Sequence, residues 1–167
     1  MIPRTLKNFT LTVDGVGYAG RVKELTLPTM TIKAEEYRGG GMDAPFQIDM
    51  GQEALEAEFV LAEYNEAVIG QWGLADQNAV QVTARGAMQR SGEDAVPIVC
   101  NVRGSIKEID FGAFEAGEIT ECNFMMAVHY YRLSIDGTDV VEVDVENMKR
   151  VVNGEDQLAS MRTALGI

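Results

Sequence analysis

Three glycines, Gly15, Gly17 and Gly20, spell GxGxxG after an alternating apolar run, and Glu35 and Glu36 follow near the distance at which an acid meets a nucleotide ribose. That chemistry needs a helix opening at the third glycine, where unpaired N–H groups and the helix dipole hold a pyrophosphate. Residues 21–27 are instead short, strand-like and stopped by Pro28, so the run reads as a glycine-rich β-turn. Gly39, Gly40 and Gly41 offer backbone donors to an anion, but no phosphate-binding lysine follows and Asp43 opposes a phosphate. They read as a mobile or closely packed loop.

The other reactive side chains do not assemble into a site. His129 is the only histidine, which excludes a multi-histidine metal centre and leaves no spare ligand for a His-activated nucleophile, so it reads as a packing or interface residue. Cys100 and Cys122 lack the CxxC spacing of redox and metal sites and read as buried free thiols. The acids are scattered at polar parity, Glu63, Glu66, Asp139, Glu142 and Asp144 among them, with no selectable catalytic pair. Neither catalysis, nor a cofactor, nor a metal is expected.

The chain has 167 residues, of which 46% are hydrophobic and 24% charged, enough apolar material for one core and one domain over 1–167. A formal net charge of −12 argues against a surface that holds nucleic acid by counterion release, so DNA is expected to pass without binding. No apolar run has the length to span a bilayer, and the first ten residues lack the pattern of a signal peptide, which points to synthesis in the cytosol and no stable membrane insertion.

Periodicity supplies the elements. Phe9, Leu11 and Val13 alternate with polar residues as in a half-buried strand that ends at the turn signal Asp14-Gly15, and a second apolar stretch covers 21–27. Residues 29–34 lead into a long glycine-rich loop or open hairpin reaching Gly51, and Leu55, Ala57 and Phe59 then alternate with Glu56 and Glu58. Tyr64, Val68, Ile69 and Trp72 fall at helical spacing before Gly73, which predicts a short helix over 63–72. Further strands follow at 80–85 and 96–103. In 124–133 apolar groups occupy both parities, which predicts cover on both faces. Asp136-Gly137 turns into a strand over 140–145, and Leu158, Met161 and Leu165 predict a C-terminal helix stopped by Gly166. About seven strands, one internal helix and one terminal helix suit a mainly β architecture, a β-sandwich or rolled barrel.

Several segments resemble one family: IPRTL at 2–6, LTLP at 25–28, EYRGGGMDAP at 36–45 running into IDMG at 48–51, GLAD at 73–76, Tyr130-Tyr131, the Asp136-Gly137 turn, and VNGEDQLASMR at 152–162. The chain is similar to the major tail tube proteins of contractile-tailed phages and of R-type pyocins. The resemblance implies a β-sandwich-like tail tube fold shared with the type VI secretion tube protein. Six copies form a ring, and rings stack into a hollow tube inside a contractile sheath, with no enzymatic activity. It implies as partners the chain itself, the tail sheath protein, the tape-measure protein, the baseplate and the tail terminator. The expected location is the virion tail or a headless, bacteriocin-like particle, assembled in the bacterial host cytoplasm.

Within that frame the loop over 34–51 is the expected inter-ring contact, through Tyr37, Arg38, Gly39, Gly40, Gly41, Met42, Phe46, Ile48 and Met50, since glycines allow close backbone approach and the apolar side chains supply anchors. Glu56 and Glu58, with Lys33, Glu35, Thr83 and Arg85 from other strands, are the expected lumen-facing set. An acidic lining repels phosphate and lets DNA slide. Two alternatives stand beside this reading: the tube protein of a type VI-like secretion machine, and a monomeric ligand-binding β-barrel.

Overall fold

Two long strands, β8 (Val96–Asp110) and β9 (Cys122–Ile135), pair along almost their whole length and form the spine of the molecule in the computed structural model, which describes residues 2–73 and 80–167. Residues 74–76 of the GLAD run lie outside the described residues. The first half of β9 pairs with β6 (Leu55–Leu61), and β6 pairs with β3 (Val22–Thr26). The second half of β9 pairs with β10 (Thr138–Asp144), followed by β11 (Lys149–Val152) and β12 (Glu155–Asp156). On the other side, the first half of β8 pairs with β7 (Val80–Gln89), then β1 (Thr5–Val13) and β2 (Val16–Gly17). One ten-stranded sheet thus folds into two layers that share a core. The smaller layer is β3-β6-β9-β8, and its Phe59 and Phe124 stack at 4.9 Å between ring centroids. Leu11, Val82, Val102 and Tyr131 supply the facing layer of that core.

The passage between layers explains the apolar groups at both parities of β9. Register slips between Arg103, opposite Tyr130, and Gly104, opposite Val128, so His129 is the extra residue of a β-bulge. Before it Phe124, Met126 and Val128 point inward, and after it Tyr131 does. The inward parity switches, and the outward positions stay half-buried rather than covered on both sides. Gly104 makes the bend possible, because a Cβ there would lie 1.9 Å from the Ala127 carbonyl oxygen. A second slip at Lys107 returns Ile109 toward the core.

Short-range signals set the turns. Asp14-Gly15, Asp136-Gly137 and Asn153-Gly154 all have both residues at positive φ, as a two-residue hairpin of type I′ requires. Asp14-Gly15 leads into β2 and then β3, and no helix opens at Gly20. The helix expected over 63–72 is only α1 (Glu66–Ile69): the Asn65 side chain caps Val68 N–H at 3.2 Å, and Trp72 bridges to Ile106 of β8, which draws the chain out of the helix. The terminal helix is α2 (Ala159–Leu165), closed by Gly166 at φ 74°. Among the described residues twelve strands replace about seven, because β2, β11 and β12 are too short to show a period and residues 32–52 form two strands.

Candidate assembly surfaces

Strands β4 (Ile32–Tyr37) and β5 (Phe46–Gln52) pair only with each other, as an arm that leaves the body where Glu53 N–H donates to the Thr31 carbonyl at 2.9 Å. Their register sets Tyr37 against Phe46, Glu35 against Ile48 and Glu36 against Gln47. Partners share a face and side chains alternate, so Tyr37, Phe46, Ile48 and Met50 line one mainly apolar face together with Glu35, while Glu36, Gln47 and Asp49 line the other. Tyr37 and Phe46 are 59% and 63% exposed, so the chain itself does not cover them. The tip is an ordered turn: Arg38 Nε donates to the Met42 carbonyl at 3.1 Å, Met42 N–H donates to Gly39 O at 3.3 Å, and Gly41 has φ 85°. All nine residues expected at an inter-ring contact, Tyr37 to Met42 with Phe46, Ile48 and Met50, lie on this arm. Gly39 and Gly40 form its end.

The six residues expected on one lumen face lie on three surfaces. Lys33 and Glu35 belong to the arm. Glu56 and Glu58 face outward on β6, in the smaller layer, and Thr83 and Arg85 face outward on β7, in the other. Two layers packed around one core turn their outward faces in opposite directions, so these pairs do not share a surface.

The outward face of the smaller layer is acidic. Glu58 stands opposite Thr26 and Met125, Glu56 opposite Ala127, and Glu24, Glu108 and Asp110 extend the same face. Lys107 at the second bulge pairs with Glu56. Sequence reasoning missed Glu24, Glu108 and Asp110, and only the strand order shows that they join Glu56 and Glu58. The opposite outward face is mixed: Thr83 donates to Asn101 Oδ1 at 3.2 Å, the Arg103 guanidinium lies 4.2 Å from the Tyr130 ring centroid, and the Tyr130 hydroxyl donates to Glu142 at 3.3 Å. Burial, followed by the Glu142 charge, raises the Tyr130 pKa.

Both thiols are enclosed. Burial pushes the Cys100 thiol up to about 12, and burial with the Asp110 charge also raises Cys122, so both are protonated and enclosed at neutral pH. Among the described residues no group of three or more His, Cys, Asp or Glu is placed to hold a metal ion.

The sequence profile of the phage tail tube protein FII family matches residues 3–166. This chain belongs to that family. It is 36% identical to the tail tube protein of Escherichia phage P2, over 99% of both chains, and 34% identical to the major tail tube protein of Serratia phage KSP20, over 87% of this chain and 85% of that one. Solved structures share the fold at low identity. The extended sheath-tube complex of the extracellular contractile injection system PVC matches at TM-score 0.61 and 12% identity, covering 79% of this chain and 91% of its own. The PVC sheath/tube terminator also matches at TM-score 0.61 and 12% identity, covering 80% of this chain and 98% of its own. This tail tube protein is thus a mainly β chain whose arm and acidic layer remain uncovered in the single subunit.

Proposed function

We propose that the tail tube chain closes into hexameric rings, that rings stack through the β4–β5 arm, and that the hollow tube is driven through a target envelope by sheath contraction. In a phage the tube conducts DNA. The smaller layer carries this reading. It has four strands, β3 is paired on one side only, and the opposite edge, the second half of β8, bears no strand among the described residues, only the bridge from Trp72 to Ile106 and the bonds from Gly73 N–H and Trp72 Nε1 to the Ile106 and Lys107 carbonyls. Open edges template further pairing, and joining the β3 edge of one copy to the β8 edge of the next around a ring removes them all. The acidic outward face with Glu24, Glu56, Glu58, Glu108 and Asp110 then lines the channel and repels phosphate. The role is mechanical and needs no turnover.

The tape-measure protein, the baseplate and the terminator meet the same polymer at its lumen and ends, the sheath meets it outside, and assembly takes place in the host cytoplasm. Sedimentation and negative-stain microscopy of the concentrated protein test the reading. Six-fold rings or hollow tubes are expected; monomers persisting at high concentration would contradict it.

A further inference from the structure

Two exposed apolar features stand at opposite ends of the smaller layer. The arm leaves beside the Leu55–Val128 end of the β6–β9 pairing, and an aromatic shelf stands at its Leu61–Cys122 end. In the shelf, Tyr64 lies 6.1 Å from Phe111 and 6.3 Å from Phe114 between ring centroids, and its hydroxyl donates to the Phe111 carbonyl at 2.8 Å. Phe114 is 95% exposed. Trp72, 58% exposed, is held by its Nε1, which donates to the Lys107 carbonyl at 3.1 Å. Between them lies a cleft of about 290 Å³ lined by Ile69, Trp72, Lys107, Glu108, Ile109 and Phe111. The polar ends of Tyr64 and Trp72 are tied down, so these rings are oriented before any partner arrives, which lowers the ordering cost of docking.

We infer that the Tyr64, Phe111 and Phe114 part of this shelf, which stands beyond the β8 edge that closes the ring, is the acceptor for the arm of a second copy in the adjacent ring, an assignment that rests on the stacking reading above. The placement matches the requirement for an open polymer: two different patches at opposite ends of one strand direction give a heterologous contact that repeats without closing. The chemistry matches as well. Tyr37 and Phe46, adjacent on the arm's mainly apolar face, meet a surface of three phenyl or phenol rings, and such rings supply large contact area with few rotors to freeze. At the rim Arg38 stands at the arm tip, with Asp43 in the same turn, and the exposed Glu115 and Glu118 of the shelf loop offer the Arg38 guanidinium carboxylates to meet. The six residues of β4, at roughly 3.3 Å each, carry the tip well clear of the body.

Phe114→Asp tests the assignment without risking the core, because that ring is almost wholly exposed. The variant is expected to melt as the wild type does and to form rings, while its tubes are lost or reduced to short stacks. Wild-type tubes alongside equally long Phe114→Asp tubes would overturn the shelf as acceptor and leave stacking intact. A wild type that makes neither rings nor tubes would remove the stacking reading and this one with it. A Phe46→Cys/Phe114→Cys double variant under mild oxidation gives a second readout. A ladder of disulfide-linked multimers is expected, the native thiols being buried, and a product that stays monomeric on a denaturing gel contradicts the contact.

Discussion

At the scale of residues, Gly104 is the position with least freedom, because the layer crossing brings the Ala127 carbonyl where any side chain would begin. Gly104→Ala is expected to destabilise the fold by on the order of 3 kcal/mol, read from chemical denaturation, since the obstacle is backbone and cannot swing aside. The two thiols make a second expectation. Cys100 and Cys122 are buried and protonated, so a maleimide should label neither in the native protein within minutes and both after unfolding. Rapid native labelling of either would show that the core opens locally there. The letters GxGxxG are spent on a turn and a two-residue strand.

Among the elements, the arm and α2 are both exposed, but they are held differently. α2 buries no side chain of its own and is tied down by Arg162, which donates to the Met148 carbonyl at 2.8 Å and to Asp156 at 2.5 Å. The Arg162 hydrogen bond holds the Asp156 carboxyl below its ordinary value of 3.8. A depressed carboxylate pKa stabilises above the unfolded value, and that contribution is lost as pH falls through the folded one. The amide shifts of α2 should therefore stay helical at pH 6 and move toward coil below about pH 3.8, ahead of the sheet; an Asp156→Asn variant should lose that step. The arm depends on its tip, so deleting Gly39 to Gly41 is expected to abolish stacking while the melting temperature of the body stays unchanged. How much of this was legible follows from what is local. Asp14-Gly15, Asp136-Gly137 and Asn153-Gly154 declare their turns because few residues tolerate positive φ in succession. The arm residues were legible as apolar groups in a glycine-rich stretch. The bulge at His129 was not, since an extra residue is defined only against a partner strand, and the same ignorance of strand order placed Lys33, Glu56 and Thr83 together when they occupy three surfaces.

For the whole molecule, the acidic face, the open edges and the aromatic shelf belong to one layer, and the proposed tube uses them as its lining, its ring contact and its stacking contact. Charge reversal separates the first from the others. Glu56→Lys with Glu58→Lys should leave rings and tubes intact under the microscope yet make them retain single-stranded DNA at low salt, with retention lost as salt rises, because the change converts a repelling lining into a phosphate-binding one. The organisation of the layer is tested most directly by helical cryo-electron microscopy of the assembled protein. The account predicts a six-fold tube in which Glu56 and Glu58 face the channel, β3 of each subunit pairs with β8 of its neighbour, and the β4–β5 arm crosses to the next ring. A tube with the Thr83 and Arg85 face turned inward, or with arms folded back on their own subunits, would contradict it.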